Sequence, residues 1–215
     1  MADSFALELL DLSKRFGTHW ALARLSYRLP LSCSLLLTGH NGSGKTTLLR
    51  LLATAIRPTL GQLRVLGFEA KTHTTDIRQN TALLSHANCL YEDLSAEQNL
   101  LLLARLLAKP ASCVPPLLEQ VGLLARKQNP VRQFSAGMRK RLAIARLLLK
   151  SPRLALLDEP FGELDPQGIA HMENLIRLLK NQGTTLILAT HLVEQGLSLT
   201  EKRLHLNQGR IQEAS

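Results

Sequence analysis

Residues 38–47 read TGHNGSGKTT. Gly39, four residues, Gly44, Lys45 and Thr46 fill the spacing G-x-x-x-x-G-K-[ST] without a gap. Glycines let such a loop turn through positive φ and point successive N–H groups inward as an anion nest. A helix beginning near Gly44 would add free N–H groups and the positive end of its dipole. Lys45 is a point charge with the reach to touch β- and γ-phosphates. The Thr46 hydroxyl is the kind of oxygen that ligates Mg²⁺. The stretch Gly39, His40, Asn41, Gly42, Ser43, Gly44, Lys45, Thr46 and Thr47 is therefore predicted to cradle a triphosphate.

Three further clusters carry matching chemistry. In RLALLDE (153–159) an apolar strand delivers Asp158 to its carboxyl end, where ligands sit in open α/β sheets. Asp158 is predicted to help hold Mg²⁺, and Glu159 to face the γ-phosphate and orient a water for in-line attack. FSAGM (134–138) puts Ser135 and Gly137 at the head of a basic helix, a second anion-binding end, although S-A-G alone is also an ordinary helix cap. TTLILAT (184–190) is an apolar strand that ends on His191.

The elements that must position these residues follow from the pattern. FALELLDLS, WALARLSYRL and SLLLT read as strands separated by turn residues. Thr46 to Ile56 reads as a helix stopped by Pro58. Gly61 to Phe68 reads as a strand and turn. From about Glu92 to Leu149 the pattern is helical, with starts at Ser95, Pro115 and Ser135. Leu154–Leu157 and Thr184–Thr190 are buried strands flanking a helix over Ile169–Leu179, and RLHLNQGRIQ (203–212) is a closing hairpin. Strands alternating with helices predict an α/β core, with the middle stretch inserted as a helical unit.

With these residues in this order the chain resembles an ATP-binding cassette ATPase, the nucleotide-binding subunit of ABC transporters. FSAGM stands where that family carries LSGGQ, keeping Ser135 and Gly137 and departing at Phe134, Ala136 and Met138. FGELDP (161–166) matches the family's D-loop, with Asp165 at the position that faces a second subunit. Thr190-His191 matches the switch histidine that contacts the γ-phosphate. Phe16, in KRFG, stands where the family stacks an aromatic ring on adenine. The resemblance implies ATP and Mg²⁺ as ligands, with Glu159, His191 and Lys45 in catalysis. Thr46 and Asp158 would hold the metal. His86, in place of the family's usual glutamine, would stand beside it.

The resemblance also implies the fold class: an α/β P-loop NTPase core, a mixed sheet flanked by helices, with an antiparallel β subdomain and an inserted helical subdomain. Residues 1–215 would form one ABC ATPase domain. Within it, 1–84 and 151–215 make the β subdomain and RecA-like core, and 85–150 the helical subdomain with its signature motif. It further implies a head-to-tail dimer, each ATP sandwiched between one P-loop and the other copy's Ser135, docked on an integral membrane permease at the cytoplasmic face of the inner membrane. His86, the S-A-G signature and the short chain resemble one branch in particular, the ATPase subunit of the haem exporter of cytochrome c maturation. A generic ABC exporter subunit remains the alternative.

Composition narrows the remaining classes. The 215 residues carry a net charge of +9, with 45% hydrophobic and 20% charged residues, an ordinary globular composition that favours anionic partners. A soluble ABC ATPase acting on nucleic acid or ribosomes is disfavoured. Aromatics are only 4%, there is one cassette, and no basic-aromatic run offers a stacking platform. The basic cluster Arg139, Lys140, Arg141 and Arg146 reads as a solvated helix face. A GTPase or kinase with a P-loop leaves FSAGM and His191 unexplained. Cys33, Cys89 and Cys113 lack ligand-pair spacing and are expected to be reduced thiols. MADSFALELLDLSKRF has no secretory pattern, and Leu100–Ala108 is too short to cross a bilayer.

Overall fold

The computed structural model of the chain describes residues 5–85 and 90–214. Two long strands, β1 (Phe5–Phe16) and β2 (His19–Pro30), form a hairpin, followed by β3 (Ser34–Thr38), α1 (Lys45–Leu52), β4 (Leu60–Val65), β5 (Phe68–Glu69), α2 (Thr74–Asn80) and β6 (Thr81–Leu84). Three helices come next, α3 (Ala96–Leu106), α4 (Val114–Gln120) and α5 (Ala136–Lys150). The chain then returns through β7 (Leu154–Asp158), α6 (Pro166–Asn181), β8 (Thr185–Ala189), α7 (Val193–Leu199) and the hairpin β9 (Lys202–Asn207) and β10 (Arg210–Ala214).

The strands make two sheets. One is antiparallel, in the order β2-β1-β4-β5. The other runs β10-β9-β3-β8-β7-β6, parallel except for the β9–β10 hairpin. The central strands of this sheet are buried on both faces, which is why they read as unbroken apolar runs. Successive side chains feed two cores. Leu35, Leu37, Leu154, Leu156, Ile187 and Ala189 pack with α1 and the antiparallel sheet. Leu36, Ala155, Leu157, Leu186 and Leu188 pack with α3, α4, α5 and α6. The three helices inserted between β6 and β7 thus share a core with one face of the sheet. Among the described residues, no helix is long and apolar enough to cross a membrane.

The expected strands and the closing hairpin are present, with several corrections. The first helix was expected to run to Ile56 but ends at Leu52. Thr54 takes φ 55°, and its hydroxyl and carbonyl accept from Arg78 at 3.0 and 2.8 Å, so a distant arginine draws the chain out of the helix before Pro58 is reached. The helix expected over Pro115–Leu124 ends at Gln120, and α6 starts three residues before Ile169, capped by Asp165. The basic cluster is not a solvated face: Lys140 is only 9% exposed, and Arg139, Arg141 and Arg146 are half-buried. α2, β6 and α7 have no counterpart among the elements that the sequence pattern predicts.

Candidate functional site

The P-loop leaves β3 at Thr38 and enters α1 at Lys45, with Gly44 as N-cap at φ 106°. Glycine is required at two points. A Cβ on Gly39 would lie 2.2 Å from Leu206 O, and one on Gly44 would lie 2.5 Å from Leu22 Cδ2 and 2.8 Å from Ala21 O. The loop is therefore pressed between β2 and β9. It is also pinned from the C-terminal hairpin. Gly209 N donates to Ser43 O at 3.0 Å, and His40 Nε2 lies 3.1 Å from Asn207 Oδ1. Lys45 is 6% exposed, and its ammonium donates to Gly39 O and His40 O at 2.7 and 3.1 Å, closing the loop around its own side chain. Burial lowers the Lys45 pKa from its ordinary value, while Glu159 and Asp158 pull it back up.

β7 and β8 bring the acidic groups to the same place. A cleft of about 190 Å³ is lined by Asn41, Gly42, Ser43, Gly44, Lys45, Thr46, Thr47, Asp158, Glu159 and His191, with Ala21 of β2 at its side. Glu159 sits just past β7 with φ 49°, and its N–H donates to Ala189 O of β8 at 2.8 Å. Its carboxylate meets His191 twice. The His191 backbone N–H donates to Oε2 at 3.2 Å, and the ring Nε2 lies 3.3 Å from Oε1. That second contact lacks hydrogen-bond alignment, so among the described residues Oε1 is a buried acceptor without a hydrogen-bond partner. Ser43 Oγ is likewise buried and unpartnered in the loop.

The donor set suits the ligands that the sequence implies. An ammonium and the N–H groups of a helix's first turn, which have no helical carbonyl to bond, match a polyphosphate. The Thr46 hydroxyl and the Asp158 carboxylate are hard oxygen donors of the kind Mg²⁺ takes, one or two per ion, beside phosphate and water.

Ser135 and Gly137 lie elsewhere. Ser135 caps α5, its Oγ accepting from Met138 N at 3.3 Å. With Gly137, Arg141, Asp165 and His171 it lines a separate groove of about 760 Å³. Asp165 is exposed there and caps α6 by accepting from Gly168 N at 2.8 Å. Phe16 is half exposed at the β1–β2 turn, with the Lys14 ammonium 4.9 Å from its ring centre, and it does not line the cleft. His40 faces Asn207 and is also outside the lining. His86 lies outside the described residues.

Three supports were not anticipated: Ala21, the β9–β10 turn and Lys140. Lys140 Nζ donates to Glu159 O at 3.2 Å and to Gly162 O. All three are contacts between segments remote in sequence, which no local pattern announces.

Known proteins resemble this chain in sequence and fold. The family model described as ABC transporter matches residues 22–162. The lantibiotic transport ATP-binding protein SrtF of Streptococcus pyogenes is 32% identical over 205 residues, covering 95% of this chain and 88% of that protein. The cytochrome c biogenesis ATP-binding export protein CcmA of Pseudomonas putida is 39% identical over 170 residues, covering 78% of this chain and 80% of that one. Among solved structures, the ATP-binding cassette MJ0796, in a dimeric post-hydrolysis state bound to ADP and Pi, superposes with a TM-score of 0.88 at 21% identity, covering 97% of each chain. The chain belongs to the ABC transporter family, as an ATP-binding subunit.

Proposed function

We propose that this chain binds Mg²⁺-ATP and hydrolyses it as the nucleotide-binding subunit of an ABC exporter. The observation that carries this reading is the convergence of Lys45, Thr46, Asp158, Glu159 and His191 on one small cleft at the carboxyl ends of parallel strands. Lys45 and the first N–H groups of α1 hold the phosphates. Thr46 and Asp158 hold Mg²⁺, which when bound supplies positive charge against the phosphate oxygens. Glu159 Oε1, buried and lacking a hydrogen-bond partner among the described residues, is an acceptor able to take a proton of the attacking water and align it. The water oxygen bonds to the γ-phosphorus as the bond to the bridging oxygen breaks, and ADP and phosphate leave. Lys45 and the loop N–H groups stabilise the charge on the transferring group. His191, in contact with Glu159, fixes the direction of the carboxylate.

The groove holding Ser135, Gly137 and Asp165 is separate from this cleft, so one chain presents two half-sites. A second copy, head to tail, would place its Ser135 and Gly137 against the phosphates, and the dimeric state of the MJ0796 cassette supports that arrangement. The membrane-crossing part would belong to a separate permease, on whose cytoplasmic side the dimer is peripheral. Nucleic acid is not among the partners proposed. The named relatives serve different ends, lantibiotic transport in one and export in cytochrome c biogenesis in the other, and the similarity to the second supports the haem exporter of cytochrome c maturation as the particular reading.

Glu159→Gln is the direct test. It should retain ATP, accumulate as a dimer, and turn over roughly 100-fold or more slower, the scale of a lost general base. Turnover at the wild-type rate would remove Glu159 from its role. For the cargo, deleting the gene should abolish holo-cytochrome c and leave other export intact; unaffected cytochromes would leave a generic exporter.

A further inference from the structure

We propose that Lys140 is a positioning residue for Glu159, acting from α5 on the backbone of the turn that aims the carboxylate. The inference rests on the reading of Glu159 given above and adds a group that no motif of the chain contains.

Glu159 is a residue with a side chain at φ 49°, a conformation that persists only where the surroundings hold it. Its N–H is fixed by Ala189 O at 2.8 Å. Its carbonyl accepts from Gly162 N at 3.3 Å and from Lys140 Nζ at 3.2 Å. Lys140 also donates to Gly162 O, so one ammonium gathers both ends of the four-residue turn 159–162. Without it, the Glu159 carbonyl keeps, among the described residues, only the 3.3 Å bond from Gly162 N.

An amine is a costly group for this place. The side chain is 9% exposed, and burial lowers its pKa from the ordinary value, with Glu163 and Glu159 acting in the opposite sense. No carboxylate makes an ion pair with it among the described residues. Its hydrogens go to main-chain carbonyls instead. A buried charge spent on two carbonyls of one turn is a device for fixing that turn. Gly162 leaves the room, since a Cβ there would lie 3.2 Å from Nζ. The stem of Lys140 belongs to the helix that Ser135 caps.

The test uses the full chain with four variants: Lys140→Met, which keeps most of the length and removes the donor; Lys140→Gln, a neutral donor of the same reach as methionine; Lys140→Arg, which keeps several; and Glu159→Gln as control. Steady-state kcat and KM, the Kd of a fluorescent ATP analogue and Tm are measured on each. Loss of a charge-assisted hydrogen bond predicts a kcat about 10- to 100-fold lower for Lys140→Met, with the Kd changed less than about 3-fold. Arginine should restore most of the rate, and glutamine should fall between. If the methionine variant does not fold, the order of arginine over glutamine in kcat, at matched Kd, carries the test. Wild-type kcat in every Lys140 variant beside an inactive Glu159→Gln overturns the proposal and leaves the role of Glu159 standing. A kcat loss that merely follows a fall in Tm and in affinity overturns it as well. An active Glu159→Gln instead sinks the reading on which it rests.

Discussion

Replacing Gly209 by alanine should weaken ATP binding, although Gly209 lies in no nucleotide motif. It sits in the β9–β10 turn at φ +73°, and a Cβ there would lie 2.5 Å from Ala21 O, 3.0 Å from Ala21 C and 3.1 Å from Leu22 Cα. All three are backbone atoms, so no rotamer change relieves the contact. The left-handed conformation costs a residue with a Cβ about 1 kcal/mol, and overpacking against a fixed neighbour adds about 1–3 kcal/mol. The turn relieves this by moving away from β2. That movement stretches two bonds, Gly209 N to Ser43 O at 3.0 Å and Ala23 N to Gly209 O at 2.8 Å. The first of them holds the P-loop, and its loss is worth about 1 kcal/mol, or roughly a 5-fold rise in the Kd for ATP. Gly183→Ala separates strain from contact. Gly183 has φ +80° with nothing within 4 Å of its would-be Cβ, so it should lower Tm and leave the Kd unchanged. Titrating a fluorescent ATP analogue against both variants decides the matter. Wild-type affinity in Gly209→Ala, or equal weakening in both, would refute the claim that this turn supports the loop.

Other outcomes follow from single groups. Lys45 is held below its ordinary pKa of 10.5 by burial, and phosphate beside it would raise that value again. ATP binding should therefore take up protons in the alkaline window between the lowered value and 10.5, seen as a buffer-dependent heat that Lys45→Met abolishes. Burial alone would raise the Glu201 pKa, but hydrogen bonds from Lys180 and Ser34 outweigh it and lower it from 4.5. A depressed carboxylate contributes stability above that ordinary value and loses it as pH falls through the folded value, so Glu201→Gln should flatten the acid limb of Tm against pH. The effect should be small, because the carboxylate is half exposed. Ser135→Ala removes the α5 cap and should cost about 0.5–1 kcal/mol by denaturant titration. A loss of ATP-driven dimerisation far beyond that cost would mark Ser135 as more than a cap.

The residues that line the cleft were legible because the glycine-rich loop, the carboxylates at the end of β7 and the strand into His191 are local patterns, each set by a few adjacent residues. What escaped was short or non-local. α2 buries only Ile77, so it shows no apolar period. β6 is four residues long. α7 contains Gly196, a poor helix former needed because a Cβ there would lie 2.5 Å from Leu36 Cδ1. Lys140 read as solvated because its neighbours in sequence are basic. Its actual surroundings are carbonyls about 20 residues on, which a helical pattern does not encode.

These long-range contacts give the cleft a common construction, in which the P-loop backbone and Glu159 are each held by segments remote in sequence. The P-loop is held by β2 and the β9–β10 turn. Glu159 is held by Ala189 and His191 on one side and by Lys140 on the other. The last of these links the cleft to the groove at Ser135. Ser135 caps the helix that carries Lys140, and five residues of helix place the two about 7.5 Å apart along its axis. A contact made at Ser135 would therefore bear on the same helix whose second turn donates to the Glu159 carbonyl. Under the dimeric reading, closure of a second copy over Ser135 and alignment of the water-orienting carboxylate become one mechanical event, and Lys140→Met should uncouple them: the variant would still dimerise with ATP but would no longer gain turnover from doing so.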